Sequence, residues 1–597
     1  MIDRSARTRI FSLSIVMSLM VAVLVAQLVR VQFGPYAPVF AARETIPLGR
    51  VEKIAPPRGL IYDRDGQPLA INATMYYLEI EVRQLTETSK PSIALVVSKL
   101  LGIEQQDLEE QLTTDWESRG QLRIRLTRPI EEGGRWPILV DQTAADILTT
   151  FLNDQDAPDL SGLALEPTIE RVYPAGSMAG HVLGFVNQEG KGYFGVEGYY
   201  DEWLAGKEIT VEHALIPLEA SMEPDPPAGV NLVLTIDLDI QLAAEQALER
   251  EIKASRAESG QVIVMDPRTG EILAMASWPL LDPNNYESWL LQDEEEKSVI
   301  NPAASGLFEP GSTFKILTMA AALNEGVVEP EDTYLDTGEI EVGGVVIRNW
   351  NSEAWGPQTM IGCMQHSLNV CLAYVAAERV GTASFYSYLD DFGIGRLTGI
   401  DLEGEVTGQL RTQRHPEWTE VDVGTNSFGQ GVSITPIQLM AAVSAVANDG
   451  VMVQPHLVRQ IASSQGVYSP KTTVLGRPID PETAEILEVM LVEALQSEGR
   501  LGQIEGYNLA GKTGTAQIPT DFGYDENLTV ASFIGWGPVE NPEFLIFVRI
   551  DKPLTSPWGS MIAAPVFQEM AQRLVVLLDI PPEFVYEEEE PAVQDGT

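Results

Sequence analysis

Three short groups of residues have the types and spacings that acyl transfer needs. The first is Ser312-Thr313-Phe314-Lys315, preceded by Glu309-Pro310-Gly311. A serine hydroxyl is a weak nucleophile until a neighbouring base takes its proton. On a helix, positions i and i+3 share a face, so Lys315 can reach Ser312. The Gly-Ser junction also puts Ser312 at a helix N-terminus, where unpaired N–H groups and the positive dipole end stabilise developing negative charge. The second group is Ser367-Leu368-Asn369, in which a hydroxyl and an amide two residues apart offer a proton relay and a grip on a carbonyl. The third is Lys512-Thr513-Gly514-Thr515. It supplies a cation and hydroxyls for a substrate carboxylate, and its glycine lets the backbone come close enough to donate to an oxyanion. Each group alone carries little information, but their order within one domain carries a great deal.

The elements around them follow from periodicity. Ser312 to Asn324 is apolar nearly all round, as a helix buried in a domain centre is, and Gly326 follows as a stop signal. Further helices are expected at Cys371 to Arg379, Pro436 to Asn448 and Pro481 to Leu495. Gly260 to Ser277 reads as two strands joined at Asp266-Pro267-Arg268-Thr269-Gly270, and Val530 to Trp536 and Phe544 to Asp551 read as two more. Strands, then helices, then strands imply an α+β domain whose antiparallel sheet is completed from both ends, with helices packed on it. Upstream, helices at Pro91 to Leu101 and Asp141 to Leu152 and a half-buried strand at Gln121 to Arg128 form a separate mixed α+β region. The Pro-rich stretch 223–229 is the expected linker, and the acidic segment 581–597 the expected disordered tail.

The chain has 597 residues, with 39 Lys+Arg against 86 Asp+Glu, hence 39 − 86 = −47. That length calls for more than one domain. A balance this acidic repels nucleic-acid phosphates, so nucleic acid is excluded as a partner. It also excludes membrane attachment through a basic face. Insertion is another matter, because Ile10 to Val29 is an almost unbroken apolar run, long enough to span the roughly 30 Å hydrocarbon layer. Arg4, Arg7 and Arg9 precede it, so residues 1–9 are expected in the cytoplasm and the domains outside. A cleaved signal peptide is the alternative, and the length of the run argues against it.

Other chemistries find little support. The five histidines are scattered, with no zinc-type spacing, and neither a metal nor a cofactor is expected. The two cysteines, Cys363 and Cys371, lie about 12 Å apart if one helix holds both, too far for a bridge, and are expected to be buried free thiols. Gly506 to Thr513 fits the phosphate-loop pattern letter for letter. That motif needs a buried strand before it and a helix after it, whereas the preceding residues are polar and Pro519 soon follows. There is no Gly-x-Ser-x-Gly elbow, and His366, adjacent to Ser367, cannot face it on a helix.

Ser-x-x-Lys, Ser-Asp-Asn and Lys-Thr-Gly together mark class A β-lactamases and penicillin-binding proteins. Here Leu368 replaces the Asp and the Ser and Asn remain. Nearly the whole chain resembles a class B, monofunctional penicillin-binding protein. Matching residues include Arg58-Gly59, Ile61, Asp63-Arg64 and Gly66; Arg171, Tyr173 and Pro174; Gly195 and Glu197; and Ser427-Phe428-Gly429-Gln430-Gly431. Asp65, where the family usually has Asn, and Asn301-Pro302, where Asn-Arg is frequent, depart from the pattern without touching the trio.

The resemblance implies a non-catalytic pedestal at 30–222 and a transpeptidase domain at 230–580. It implies a peptidoglycan D,D-transpeptidase in which Ser312 attacks the carbonyl between the last two D-alanines of a stem peptide. Lys315 would serve as base, although that role is disputed across the superfamily. Ser367 would relay a proton to the leaving D-alanine, and Asn369 would hold the substrate amide. Lys512, Thr513 and Thr515 would bind the terminal carboxylate, with Gly514 admitting the backbone and the N–H groups of Ser312 and Thr515 forming the oxyanion hole. β-Lactams would acylate the same serine. The length and the anchor weigh against a β-lactamase, the nine residues before Ile10 against a penicillin sensor, and the lack of a glycosyltransferase segment against a bifunctional synthase. A separate membrane glycan polymerase and division proteins are the implied partners. The Glu309-Pro310-Gly311 lead-in resembles the division-type branch. An elongation-type enzyme is the alternative within the class, and a non-catalytic scaffold the alternative outside it.

Overall fold

The computed structural model describes residues 4–33, 50–54, 56–130, 134–154, 156–213, 226–290, 301–497, 502–520 and 523–583. Most of the expected acidic tail and part of the expected linker lie outside them. Two compact units divide the chain: 1–57 with 206–229, and 58–205 with 230–597. The first holds helix α1 (Arg4–Phe33) and an antiparallel pair, β1 (Arg50–Ile54) with a strand at Ile209–His213. Phe11, Leu13, Val16 and Leu19 of α1 are exposed. Among the described residues no helix is long and apolar enough to cross a membrane, so the anchor expected at 10–29 is not established by the structure.

The second unit begins with β2 (Ile61–Tyr62) and the long β3 (Pro68–Glu81), which pairs antiparallel with β4 (Leu163–Val172) from Ile71 to Ile80. The helices expected here lie at Ser89–Leu101 and at Gln142–Asn153, the latter capped by the Asp141 carboxylate. The expected strand over 121–128 is instead two short ones, Arg123–Arg125 and Thr127–Pro129. Strand β5 (Asn231–Leu234) joins the two halves of the unit, running parallel to β2 and antiparallel to β6 (Val458–Ser463).

Residues singled out by the family resemblance meet in one buried charge cluster. Glu197, with no exposed surface, accepts from Arg58 Nε at 2.8 Å, Arg171 Nε at 2.7 Å and Tyr173 Oη at 3.3 Å. Arg58 also pairs with Asp201 at 2.7 Å. Two guanidinium groups around a single buried carboxylate compensate its desolvation, the condition for keeping such a charge inside.

Helix α2 (Leu238–Ser255), capped by Asp237, leads into the catalytic half. There β7 (Ser259–Met265), β8 (Ile272–Trp278), β9 (Ala510–Thr520), β10 (Gly523–Gly537) and β11 (Phe544–Asp551) form an antiparallel sheet in the order β8-β7-β11-β10-β9. It is completed from both ends of the domain, as expected. Successive strand residues face opposite sides. Ile263, Met265 and Phe547 pack in one core with Phe314, Ile316 and Leu317, and Val262, Val264 and Ile546 in another with Ile240, Leu248 and Phe567. The sheet is therefore buried on both faces between helix layers, which explains its near-continuous apolar runs.

The nucleophile segment is a 3₁₀ turn, Gly311–Phe314, running into helix α3 (Lys315–Asn324), whose residues from Lys315 to Ala322 are all buried. The cysteines overturn the expectation of free thiols. They form a disulfide with Cα atoms 6.1 Å apart. The 12 Å figure assumed one continuous helix, and the chain instead breaks between α4 (Met360–Gln365) and α5 (Asn369–Tyr374), with Ser367 at φ 53°. The break folds the two cysteines towards each other across the Ser-x-Asn turn.

Candidate active site

Three elements of the second unit converge at the site. Lys315, at the first position of α3, has no exposed surface. Its Nζ donates to the Ser367 carbonyl at 2.6 Å, to Ser367 Oγ at 3.1 Å and to Asn369 Oδ1 at 2.8 Å. The Lys315 N–H also bonds back to the Ser312 carbonyl, so nucleophile and lysine share one tight turn. The left-handed backbone at Ser367 turns both its carbonyl and its hydroxyl towards the lysine, which a continuous helix would not do. Asn369 is oriented from its other end, where Nδ2 donates to the Arg348 carbonyl at 3.4 Å.

The third element is β9, with Lys512 and Thr513 in its interior and Lys512 Nζ 3.4 Å from Thr513 Oγ1. A strand here, with β10 rather than a helix after it, disposes of the phosphate-loop reading. Gly514 lies where the strand presses on the nucleophile turn. A Cβ on it would sit 2.3 Å from Ser532 Oγ and 2.9 Å from Thr313 Cγ2, so only glycine fits. Gly311, at φ 57°, makes the reciprocal approach, with space for its missing Cβ closed 3.2 Å from the Thr515 carbonyl. The backbones bearing the N–H groups of Ser312 and Thr515 are thus in contact. Thr515 Oγ1 accepts from the Gly559 N–H at 3.0 Å, which leaves its O–H to donate.

All eight candidate residues, Ser312, Lys315, Ser367, Asn369, Lys512, Thr513, Gly514 and Thr515, lie on these three converging elements. Supporting groups were less visible in the sequence. Thr318 Oγ1 holds the Ser427 carbonyl at 2.7 Å, and the Gly311 N–H donates to Gly429 O at 3.2 Å. The Ser427-to-Gly431 motif therefore braces the nucleophile turn. Glu309 accepts from the Gly431 N–H and Tyr524 Oη, both at 3.1 Å, and burial raises its pKa. His366 stacks on Trp355, with centroids 4.3 Å apart, which gives it a packing role. Among the described residues no cluster of His, Cys, Asp and Glu could hold a metal.

A serine and a lysine one helical turn apart, faced by a Ser-x-Asn turn and a Lys-Thr-Gly edge strand, define a serine acyltransferase of the penicilloyl-serine type. Comparison with known proteins agrees. The penicillin binding protein transpeptidase domain matches residues 260–572, and the penicillin-binding protein dimerisation domain matches residues 53–214. The chain belongs to the class B penicillin-binding proteins, the peptidoglycan D,D-transpeptidases. It is 33% identical over 542 residues to stage V sporulation protein D of Bacillus subtilis, covering 88% of this chain and 79% of that one. It is 28% identical to the peptidoglycan D,D-transpeptidase FtsI of Escherichia coli, over 89% of this chain and 86% of that one. The crystal structure of penicillin binding protein 3 from Mycobacterium tuberculosis, complexed with aztreonam, superposes with a TM-score of 0.65 at 25% identity, over 89% of this chain and 98% of that one.

Proposed function

We propose that this chain cross-links peptidoglycan stem peptides through an acyl-enzyme on Ser312, in septal wall synthesis, while anchored by α1 with its catalytic domain outside the cytoplasmic membrane. Ser312 Oγ attacks the penultimate D-alanine carbonyl as its proton passes to the unprotonated amine of Lys315, which in that state donates to the Ser367 carbonyl and Asn369 Oδ1 and accepts from the Ser367 O–H. The carbonyl oxygen takes up the negative charge against the N–H groups of Ser312 and Thr515. The C–N bond breaks as Ser367 delivers a proton to the departing D-alanine and is reprotonated by Lys315, and the amine of a neighbouring stem then displaces Ser312, its proton returning to Ser312 Oγ, to form the cross-link. Lys512, Thr513 and Thr515 hold the terminal carboxylate, and Asn369 the substrate amide. β-Lactams enter the same path and stop at the acyl-enzyme.

The observation that carries this reading is the three-point contact of Lys315 with Ser367 and Asn369. The anchor rests on the almost unbroken apolar run from Ile10 to Val29 in the sequence, and the septal role on the Glu309-Pro310-Gly311 lead-in. A glycan polymerase and division proteins are the proposed partners, since neither matched domain is a glycosyltransferase. A fluorescent penicillin is expected to label the protein covalently, and Ser312→Ala to abolish the label. Labelling that persists in the mutant overturns the assignment. A tagged copy at midcell supports the septal role, and one along the side wall refutes it.

A further inference from the structure

Helix α5, which carries Asn369, begins without a cap of its own. Leu368 offers no side-chain acceptor there, although the first N–H groups of a helix need one. Another segment supplies it, with Asn349 Oδ1 accepting from the Val370 N–H at 3.1 Å. The preceding residue adds a second contact, since the Arg348 carbonyl accepts from Asn369 Nδ2. At its other end the Asn349 side chain is held in turn, Nδ2 donating to Asp336 Oδ2 at 2.9 Å and to the Glu353 carbonyl at 3.2 Å. Asp336 ends the strand Thr333–Asp336, and its Oδ2 also accepts from the Trp355 N–H at 2.8 Å. Asp336 and Asn349 are both buried, at 1% and 3% exposure.

A buried carboxylate is costly unless a cation pairs with it. Among the described residues the partners of Asp336 are two neutral N–H groups, and its Oδ1 has none. An uncharged acceptor would take the same two bonds at less cost. What the carboxylate adds is direction, because it accepts and never donates. An asparagine amide can bond either way round, but against an acceptor-only group Asn349 must turn its NH2 to Asp336 and so its oxygen to the Val370 N–H. We propose that Asp336 is a positioning residue for acyl transfer, fixing the sense of the Asn349 amide and through it the place of Asn369 against Lys315. The last link of that chain is the 2.8 Å contact of Lys315 Nζ with Asn369 Oδ1. The far end of α5 is fastened separately, Tyr374 stacking on Tyr334 with centroids 4.8 Å apart. One strand therefore holds both ends of the helix, and its Asp336 end is the one that leads to the lysine.

The proposal rests on Ser312 being the acylated residue, and the experiment separates the two. Second-order acylation by a fluorescent penicillin is measured on the full chain, per folded molecule, beside urea midpoints. Asn349→Asp keeps an acceptor for the Val370 N–H but sets a second carboxylate against Asp336 and the Glu353 carbonyl. Acylation is expected to fall about 10- to 100-fold, the cost of a small displacement of catalytic groups. Asp336→Asn, whose amide can face either way, should lose about three- to ten-fold, the worth of one hydrogen bond. The exchange, Asp336→Asn with Asn349→Asp, restores a one-way chain, because the carboxylate at 349 accepts both from Val370 and from the amide at 336. It should return the rate to within about threefold of the parent, a non-additivity that a loss of stability alone does not produce. Tyr334→Leu, which loosens the far end of α5, should lower the urea midpoint and slow acylation far less than Asn349→Asp. Parental rates in both folded single variants, an exchange that fails to rescue, or a loss in Tyr334→Leu as large as in Asn349→Asp overturns the positioning role. Labelling of Ser312→Ala would instead overturn the catalytic assignment.

Discussion

The Lys315 side-chain nitrogen lies 2.6 Å from the Ser367 carbonyl oxygen and 3.1 Å from the Ser367 hydroxyl, tying together two residues that are far apart in sequence. Both atoms are buried, where water cannot replace a lost partner. Lys315→Met should leave the two acceptors without this partner and remove the proposed proton acceptor. Acylation by fluorescent penicillin is expected to fall by about 10²–10⁴-fold, the usual worth of a positioned acid–base group, in stopped-flow measurements. Lys315→Arg should not rescue it, because a planar guanidinium cannot gather three acceptors around one nitrogen and does not give up its proton to act as a base. Recovery by arginine would show that charge alone suffices.

The disulfide encloses the Ser367 turn, so its removal should reach the chemistry as well as stability. Cys363 and Cys371 are fully buried on either side of the break. Closing a loop this short is worth about 2–3 kcal/mol in the chain-entropy model. Cys363→Ala with Cys371→Ala is expected to lower the denaturant midpoint correspondingly. It should also slow acylation about tenfold, measured where the variant remains fully folded. A lower midpoint with an unchanged rate would confine the disulfide to stability.

Gly514 tests the contact between strand and nucleophile turn. Alanine there drives a methyl into Ser532 Oγ and Thr313 Cγ2, so β9 must move away from Ser312. Small displacements of catalytic groups are costly. Acylation is expected to fall at least about 100-fold while far-ultraviolet circular dichroism stays that of the parent. A near-parental rate would mean that the turn yields without disturbing the proposed oxyanion donors.

Much of this arrangement was legible in the sequence, and the failures have physical causes. The trio was readable because each member places a specific atom type at a specific offset. The sheet was readable because Val262 to Met265 and Phe544 to Val548 are apolar on both faces. The cysteine pairing was missed because a helical spacing was extended through Ser367, whose left-handed backbone closes the end of α4, with the Leu368 N–H on the Cys363 carbonyl and the Ser367 N–H on the Met364 carbonyl, a cap that glycine or asparagine usually signals in a sequence. The partners of Glu197 were visible as family positions, but their convergence depends on pairing between elements distant in the chain.

The Glu197 cluster should matter for folding and not for chemistry. Glu197→Gln leaves Arg58 and Arg171 buried beside a neutral amide. Breaking a buried pair from one side costs about 3–5 kcal/mol. The expected result is a matching loss in urea stability, with the acylation rate per folded molecule unchanged. A rate change would link the cluster to the active site.

Stability should also depend on pH through Glu488. Burial is the main cause that pushes its pKa up to about 7 from an ordinary 4.5, with Asp449 and Glu485 adding to the rise and the Trp536 Nε1–H bond at 3.0 Å opposing it. The folded pKa lies above the unfolded one, so the contribution is fully present below about 4.5 and is lost as pH rises through about 7. Between those values the unfolded state has shed a proton that the folded state still holds, and above about 7 both have shed it, leaving the folded state less stable by on the order of 2 kcal/mol. Glu488→Gln keeps an oxygen to accept from Trp536 and removes the titration. The variant is expected to match the parent in urea stability near pH 4 and to exceed it near pH 8, where the parent carries a buried carboxylate. Equal stabilities at both pH values would show that Glu488 is hydrated in the folded protein.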